Sequence, residues 1–292
     1  MDAILEPLRY TFFQEGLLVA ALSGALLGFI GVFIVLRGMS YIGHGLSHSI
    51  FGGFAAVQLF AAQFYILGAG LWGIASALAI NAVSRRSRLG ADAAIGVITT
   101  ASFALGVALF ARFGSSGPSF ENALFGSILG ISPQQIIALT AVSLLAVAFV
   151  FLRYRALVFS TFDPEVADVS GVRVNRLEAQ LMIVLSLSIL ATLTIIGVTL
   201  VAAMLVIPAV IARMLTDSFG RMLAWSTAVG AFSGLVGMYL SYYAEVPSGT
   251  MIVLVGAAIF VIVFALAGRS RRRRSAGLDA HVEPVPTTGV LR

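Results

Sequence analysis

The sequence contains no cysteine and no lysine, so all 18 of its basic residues are arginines. Without cysteine the chain has no disulfides and no thiolate metal sites. Without lysine it lacks the residue that a Walker A phosphate loop requires, so any ATP that drives it is bound by another subunit. Only histidine and carboxylate side chains remain as strong metal ligands.

Charge is also scarce, because charged residues make up 11% of the chain and hydrophobic residues 59%, with a mean hydropathy of +1.02. This composition predicts a polytopic membrane protein whose loops are too short to hold a soluble catalytic domain. The pI near 10.1 does not indicate nucleic-acid binding, because the arginines lie between apolar segments. We expect no cleaved signal peptide, since the first residues are of mixed polarity.

Nine apolar segments approach the roughly 20 residues that cross a bilayer as a helix. They lie at residues 16–36, 42–62, 64–84, 92–113, 133–152, 178–197, 198–216, 222–243 and 247–268. The sixth and seventh are nearly continuous, so we expect an all-α fold with eight or nine transmembrane helices. The predicted domains are a transmembrane domain, residues 1–268, and a basic, disordered cytoplasmic tail, residues 269–292.

Arginine placement predicts the orientation in the membrane, because cytoplasmic loops are enriched in basic residues. One set of loops contains Arg37, Arg85, Arg86, Arg88, Arg153, Arg155, Arg173, Arg176, Arg213, Arg221, Arg269 and Arg271–Arg274. The opposite set contains only Arg9 and Arg112. The loop at 153–177 and the C-terminus are therefore predicted to be cytoplasmic. With nine spans the N-terminus is outside, and with eight it is inside.

Two of the three histidines, His44 and His48, open the apolar run of the second segment, whereas His281 lies in the tail. The i, i+4 spacing places two imidazoles on one helix face, about 5–6 Å apart at Cβ, where they can offer two nitrogen ligands to one metal ion. A symmetric dimer would bring four together. Since a closed site binds too tightly for release, we expect the four ligands to converge in only one state of a transport cycle, or water to replace some of them.

A second interpretation of the pair is hydrogen bonding to neighbouring helices, with a proton relay as a special case. A relay or an ion-coupled secondary transporter would favour a carboxylate in mid-span. We find none, because the nearest acids lie at span ends or in outer loops: Asp92, Asp217, Glu121 and Glu245.

The cytoplasmic loop from Phe162 to Arg173 has the pattern of a short capped helix. Asp163 suits the N-cap, Pro164 the first helical position and Gly171 the C-terminal cap. Such a helix offers a soluble partner a rigid binding surface, although an ordinary interfacial helix has the same pattern. A further interfacial helix is expected outside, at residues 120–126. The pairs Gly24/Gly28 and Gly230/Gly234 predict close helix packing.

These motifs together resemble the integral-membrane permeases of ABC importers for manganese, zinc and iron ions. The family's Gly-Asp-Ala-Leu-Ser-His motif is matched by Gly43-His44-Gly45-Leu46-Ser47-His48, in which His44 replaces the aspartate. Its Phe-Asp-Pro-Glu loop is matched by Phe162, Asp163, Pro164, Glu165, Ala167 and Gly171. Two further family segments resemble residues 124–129 and 197–209, and the similarity covers about residues 12–268.

The resemblance implies a fold like that of type II ABC importers, in a bacterial cytoplasmic membrane. It implies a homodimeric or pseudo-dimeric permease, with the homodimer as our prediction. It further implies an external metal-binding protein and two cytoplasmic ATPase subunits that hold the ATP and bind the 163–172 helix (Asp163, Pro164, Glu165, Ala167 and Gly171). It also implies metal contact by His48 directly and by His44 through its position. Nitrogen in place of oxygen favours zinc as the divalent cargo. No resident cofactor and no nucleic-acid partner are expected, and lipid surrounds the chain.

Other classes remain as alternatives. A manganese or iron importer of the same family differs only in cargo. A metal-chelate importer would need a wider path than a paired-ligand helix suggests. A membrane metalloprotease is not favoured, because the His-Glu-x-x-His glutamate is missing between His44 and His48. We therefore predict a transport subunit and not an enzyme.

Overall fold

The structure, a computed structural model, describes residues 6–58, 65–86, 91–113 and 131–279. A short 3-10 turn, Glu6–Arg9, precedes the helices within these residues. They are α1 (Thr11–Leu36), α2 (Ile42–Gln58), α3 (Tyr65–Arg86), α4 (Ala91–Phe113), α5 (Pro133–Phe162), α6 (Pro164–Val169), α7 (Val174–Ile196), α8 (Val198–Leu215), α9 (Phe219–Ala244) and α10 (Ser248–Asp279). The described part of the chain contains no strand, which confirms the all-α prediction.

Each of the nine predicted spans coincides with a helix, namely α1 to α5 and α7 to α10. Seven of the described helices are long and apolar enough to cross a membrane, whereas α2 and α8 are shorter, with 17 and 18 residues. The near-continuous sixth and seventh segments are separate helices. The backbone changes direction at Gly197, whose φ of +92° is open to glycine at little cost.

The helix ends define two faces of the bundle. At one face, Phe219 at the start of α9 contacts Phe33 near the end of α1, with ring centroids 5.5 Å apart. At the opposite face, Tyr239 near the end of α9 contacts Phe13 near the start of α1, with centroids 5.4 Å apart. The two helices are therefore antiparallel. The first face carries the arginine-rich connections and is the predicted cytoplasmic side.

The centre of the bundle is α1, which packs against α9, α8, α5 and α7. Gly24 lies directly against the backbone of Gly230, and Gly234 lies against the backbone of Ala20, so a β-carbon at these glycines would overlap the facing helix. The prediction of close packing through small residues is confirmed for the predicted pairs Gly24/Gly28 and Gly230/Gly234. Their absent side chains let two long helices meet backbone to backbone.

Two helices extend further than the apolar segments suggest. The polar region from residue 153 was expected as a loop, but α5 continues through it to Phe162, because residues 153–162 contain neither glycine nor proline. Similarly, α10 continues to Asp279, past the predicted domain boundary at residue 268. The division into permease domain and tail stays a prediction. The expected outer helix at 120–126 and the motif at 124–129 lie outside the described residues.

Candidate functional site

A rigid turn leads from α1 into the helix that carries the histidine pair. Gly38 has a φ of +68°, and the Met39 N–H donates to the carbonyl of Ile34 at 3.0 Å, which closes α1 in a Schellman motif. The Ile42 N–H then donates to the carbonyl of Met39 at 2.9 Å, where α2 begins. His44 therefore lies in the first turn of α2, at a position fixed by consecutive backbone hydrogen bonds.

His44 and His48 share one face of α2, as the i, i+4 spacing predicts. Their ring centroids are 4.4 Å apart, with an interplanar angle of 68°. His44 is exposed, and His48 is partly buried beside Phe103 of α4, whose ring centroid lies 5.0 Å away edge to face. The Phe103 contact holds one imidazole in place and leaves the other accessible.

Glycines on α2 set how closely it approaches its neighbours. Gly43 lies against Leu205 of α8, Gly45 lies against Thr99 of α4, and Gly52 lies against the backbone of α4. A β-carbon at any of them would meet these atoms at less than van der Waals distance. Bulk is thus missing at these three positions of α2, which lets α2 approach α4 and α8 closely.

A buried hydroxyl cluster lies one residue after His48. The Ser49 hydroxyl donates to Ser76 of α3 and forms a hydrogen bond of 2.8 Å with Ser102 of α4. The indole N–H of Trp72, also on α3, donates to Ser102. These bonds join α2, α3 and α4 and fix the rotation of α2 about its axis. Sequence reasoning missed this cluster, because isolated serines in apolar segments carry no pattern.

The two histidines form an incomplete ligand set. Within the residues that the structure describes, no group of three or more histidine, cysteine or acidic side chains is close enough to hold a metal ion. Among the described residues, His44 and His48 thus offer two nitrogen ligands and no further clustered side-chain ligand. A two-ligand site binds a metal ion more weakly than the four-ligand closed sites of structural zinc.

The short cytoplasmic helix α6 has the predicted caps. Asp163 Oδ1 accepts a hydrogen bond from the Val166 N–H at 3.0 Å, and Pro164 occupies the first helical position. At the other end, Gly171 has a φ of +90°, and its N–H donates to the carbonyl of Asp168 at 3.0 Å. The capping predictions for α6 are confirmed.

Most of α6 projects from the bundle. Of its residues only Ala167 is buried, whereas Val166 and Val169 are exposed, the latter to 86%. Phe162, just before α6, is exposed as well. The other predicted docking residues are all exposed: Asp163, Pro164, Glu165 and Gly171. Sequence reasoning missed the apolar surface of Val166 and Val169, because a six-residue helix is too short to show a periodic pattern.

A bundle of membrane-length helices, with a paired-histidine helix inside and a capped helix projecting from its arginine-rich face, defines a multi-pass transport permease. Comparison with known proteins agrees with this class. The chain belongs to the ABC 3 transport family, whose model matches residues 9–267. It is an integral-membrane permease of the metal-ion ABC transporters, a transport subunit rather than an enzyme, located in the inner membrane.

Its relatives are named for metal transport. The chain is 38% identical to the "Manganese transport system membrane protein MntC" of Halalkalibacterium halodurans, over 89% of this chain and 88% of the relative. It is 33% identical to the "Probable iron transport system membrane protein" of Haemophilus influenzae, over 90% and 97%. The solved structure "PsaBC from Streptococcus pneumoniae in complex with Fab" aligns with a TM-score of 0.81 and 29% identity, covering 90% of this chain and 95% of that one.

These relatives bear on the predicted cargo. The curated names specify manganese and iron, so the preference for zinc that we inferred from His44 has no support among them. The physical reason is that one imidazole in place of one carboxylate changes only part of a ligand set. The alternative prediction, manganese or iron, is favoured.

Proposed function

We propose that this chain is the permease subunit of an ATP-driven importer of divalent manganese or iron. It works as a homodimer with two cytoplasmic ATPase subunits and an external metal-binding protein. The observation that carries this proposal is the 38% identity to a manganese transport membrane protein over 89% of the chain. The absence of lysine agrees with ATP binding on a separate subunit.

In the proposed cycle, His44 and His48 bind the passing metal ion. Their ring centroids are 4.4 Å apart, so both can face one ion after small rotations of the side chains. Manganese prefers oxygen ligands and binds imidazole more weakly than zinc does. Two nitrogen ligands completed by water, or by the second permease copy in one state of the cycle, would therefore hold manganese loosely enough to release it.

The helix α6 is the proposed binding surface for the ATPase. It projects at the arginine-rich face and exposes the apolar side chains of Val166 and Val169, and Phe162, just before α6 in the chain, is exposed as well. Apolar groups at the core of an interface with a polar rim are typical of stable protein contacts. Asp163 and Glu165 would supply the polar rim, and Ala167 anchors α6 to the bundle.

The test is reconstitution of the chain in proteoliposomes with its cognate ATPase and metal-binding protein. Uptake of manganese, iron(II) and zinc would be measured separately, with ATP and with a non-hydrolysable ATP analogue. We expect accumulation of manganese or iron only when ATP is hydrolysed. The matched control is the same assembly without the metal-binding protein, which should accumulate much less metal.

Two outcomes would contradict this function. Metal uptake by the chain alone, without ATPase or ATP, would place it among secondary transporters or channels. ATP-dependent uptake of zinc in preference to manganese and iron would leave the permease assignment intact and restore the cargo that His44 suggested.

A further inference from the structure

Arg37 is a buried cation at a meeting point of three helices. It is the C-cap of α1, and its side chain is 7% exposed. Its Nη1 lies 3.4 Å from Oε1 of Glu178 on α7. Its Nε donates to Oγ1 of Thr161 at 3.2 Å, and its Nη2 donates to Oγ of Ser160 at 3.0 Å, both in the last turn of α5. One guanidinium therefore joins α1, α5 and α7.

The contacts of Arg37 lie on both sides of α6 along the chain. Ser160 and Thr161 come just before α6, and Glu178 lies in the helix that follows it. A single residue, Asp163, connects α5 to α6, and residues 170–173 connect α6 to α7. Because Arg37 binds the helix on each side, it fixes the two attachment points of α6 relative to each other and to α1.

The surroundings of Arg37 favour the contacts that its guanidinium makes with α5 and α7. The hydroxyls of Ser160 and Thr161 donate to the carbonyl of Leu157, so their oxygen lone pairs are left to accept from the guanidinium. A positive charge at the C-terminal ends of α1 and α5 is also stabilised by the helix dipoles. Removing a partner from a buried charge is costly, so the contacts are expected to persist as the surrounding helices move.

Arg37 is also connected to the histidine helix. The Schellman motif at Gly38 and Met39 and the hydrogen bond from Ile42 to Met39 make residues 37–41 a defined turn. His44 follows in the first turn of α2. The path from Arg37 to the first imidazole thus contains no long loop.

We propose that Arg37 is a positioning residue that fixes α6 relative to α2, so that a displacement of α6 by the ATPase changes the position of His44 and His48. This inference rests on the proposed function, in which the ATPase binds α6. It assigns Arg37 a role in coupling that its sequence context, a basic residue after a span, does not indicate.

The connection is tested first by a distance measurement on the permease. Because the chain has no cysteine, spin labels can be attached specifically at Tyr41→Cys, before α2, and Ser170→Cys, after α6, both exposed in the structure. We expect a narrow distribution of distances between the two labels, and a broader, shifted one in Arg37→Met. The matched control is Arg155→Met, which removes an exposed arginine from α5. A distribution in Arg37→Met equal to the unsubstituted chain would overturn the proposal.

The second measurement is the number of manganese ions transported per ATP hydrolysed. In Arg37→Met we expect this ratio to fall roughly tenfold, within the range that single residues contribute to coupling between sites. Co-purification of the ATPase and ATP hydrolysis should persist. Arg37→Lys should restore part of the ratio, because it keeps the charge opposite Glu178 but lacks the planar fork that also reaches two hydroxyls. An unchanged ratio in Arg37→Met would overturn the proposal even if the distance broadened.

Separate substitutions test the contact of Arg37 with α7 and its contacts with α5 individually. Glu178→Gln removes the ion pair with α7, and the pair Ser160→Ala with Thr161→Val removes the bonds to α5. Each should broaden the distribution of distances between the labels at positions 41 and 170. If the unsubstituted assembly shows no ATP-dependent manganese uptake, the proposed function fails, and the distance measurement still decides whether Arg37 joins α6 to α2.

Discussion

Ser226 on α9 donates its hydroxyl to the backbone carbonyl of Gly28 on α1, at 2.5 Å. The bond is possible because Gly28 has no side chain and its own position lies against the backbone of Ser226. Four residues earlier on α1, Gly24 lies against Gly230. Along the middle of α1 and α9 the two helices are thus joined by direct backbone proximity, whereas the aromatic contacts between them lie at their ends.

Substitution of a glycine in this contact between α1 and α9 should destabilise the fold. Gly24→Ala places a β-carbon on the carbonyl of Gly230, and overpacking of this kind costs about 1–3 kcal/mol. The measurement is thermal unfolding of the detergent-solubilised protein. The matched control is Gly96→Ala on α4, because a β-carbon there meets no atom of the described residues within 4 Å. Equal melting temperatures for the two variants would contradict the packing argument.

The histidine pair should be required for transport. His48→Ala removes the partly buried imidazole, and we expect ATP-dependent manganese uptake to be lost while assembly with the ATPase survives. Uptake into proteoliposomes and co-purification measure the two properties separately. His281→Ala, in the tail, is the matched control and should transport normally. Normal uptake by His48→Ala would remove the pair from the metal path.

The residue at position 44 should influence which ion is preferred. His44→Asp replaces a nitrogen ligand by an oxygen ligand, which is the harder donor, so the ratio of manganese to zinc uptake should rise. Competition between the two ions in the same proteoliposome assay measures this ratio. An unchanged ratio would mean that the ligands outside the pair determine selectivity.

The C-terminal cap of α6 should matter for ATPase binding. Gly171 has a φ of +90°, and a residue with a β-carbon is strained there by about 1–2 kcal/mol. Gly171→Ala should therefore weaken association with the ATPase, as measured by titration of labelled ATPase onto nanodiscs. Gly220→Ala, at an exposed glycine near the same face, is the control, since its nearest neighbour is 3.7 Å away. Identical affinities would argue that α6 tolerates distortion or lies outside the interface.

The hydroxyl cluster should stabilise the position of α2. Ser49→Ala or Trp72→Phe removes interhelical hydrogen bonds, each worth about 0.6–2 kcal/mol in a membrane. Thermal unfolding should show the loss. Ser143→Ala is the control, because among the described residues this buried hydroxyl donates to the carbonyl of Leu139 on its own helix. A control that is as destabilising as Ser49→Ala would contradict a special role for the cluster.

The sequence was sufficient to predict the features that depend on local chemistry. Apolar length predicted the nine helical segments, seven of which, among the described residues, are long and apolar enough to cross a membrane. The caps at Asp163 and Gly171 followed from side-chain and backbone preferences within a few residues. The shared face of His44 and His48 followed from helical periodicity alone.

Features that depend on distant partners were not predictable. Arg37 marked a cytoplasmic loop in the sequence, but its partner Glu178 lies on another helix and no local pattern connects the two. The contact of His48 with Phe103 depends on how α2 and α4 pack. The extension of α5 to Phe162 was missed because a polar segment was taken for a loop, although polarity alone does not end a helix.

The single residue Gly197 between α7 and α8 has a mechanical consequence. The direction of α8 relative to α7 is set by the two backbone torsions of one glycine. Leu205 lies about 12 Å along α8 from this pivot, so a tilt of about 10° would displace it by roughly 2 Å. Since Leu205 packs against Gly43, next to His44, a small pivot at one face of the membrane reaches the histidine helix as a displacement of atomic size.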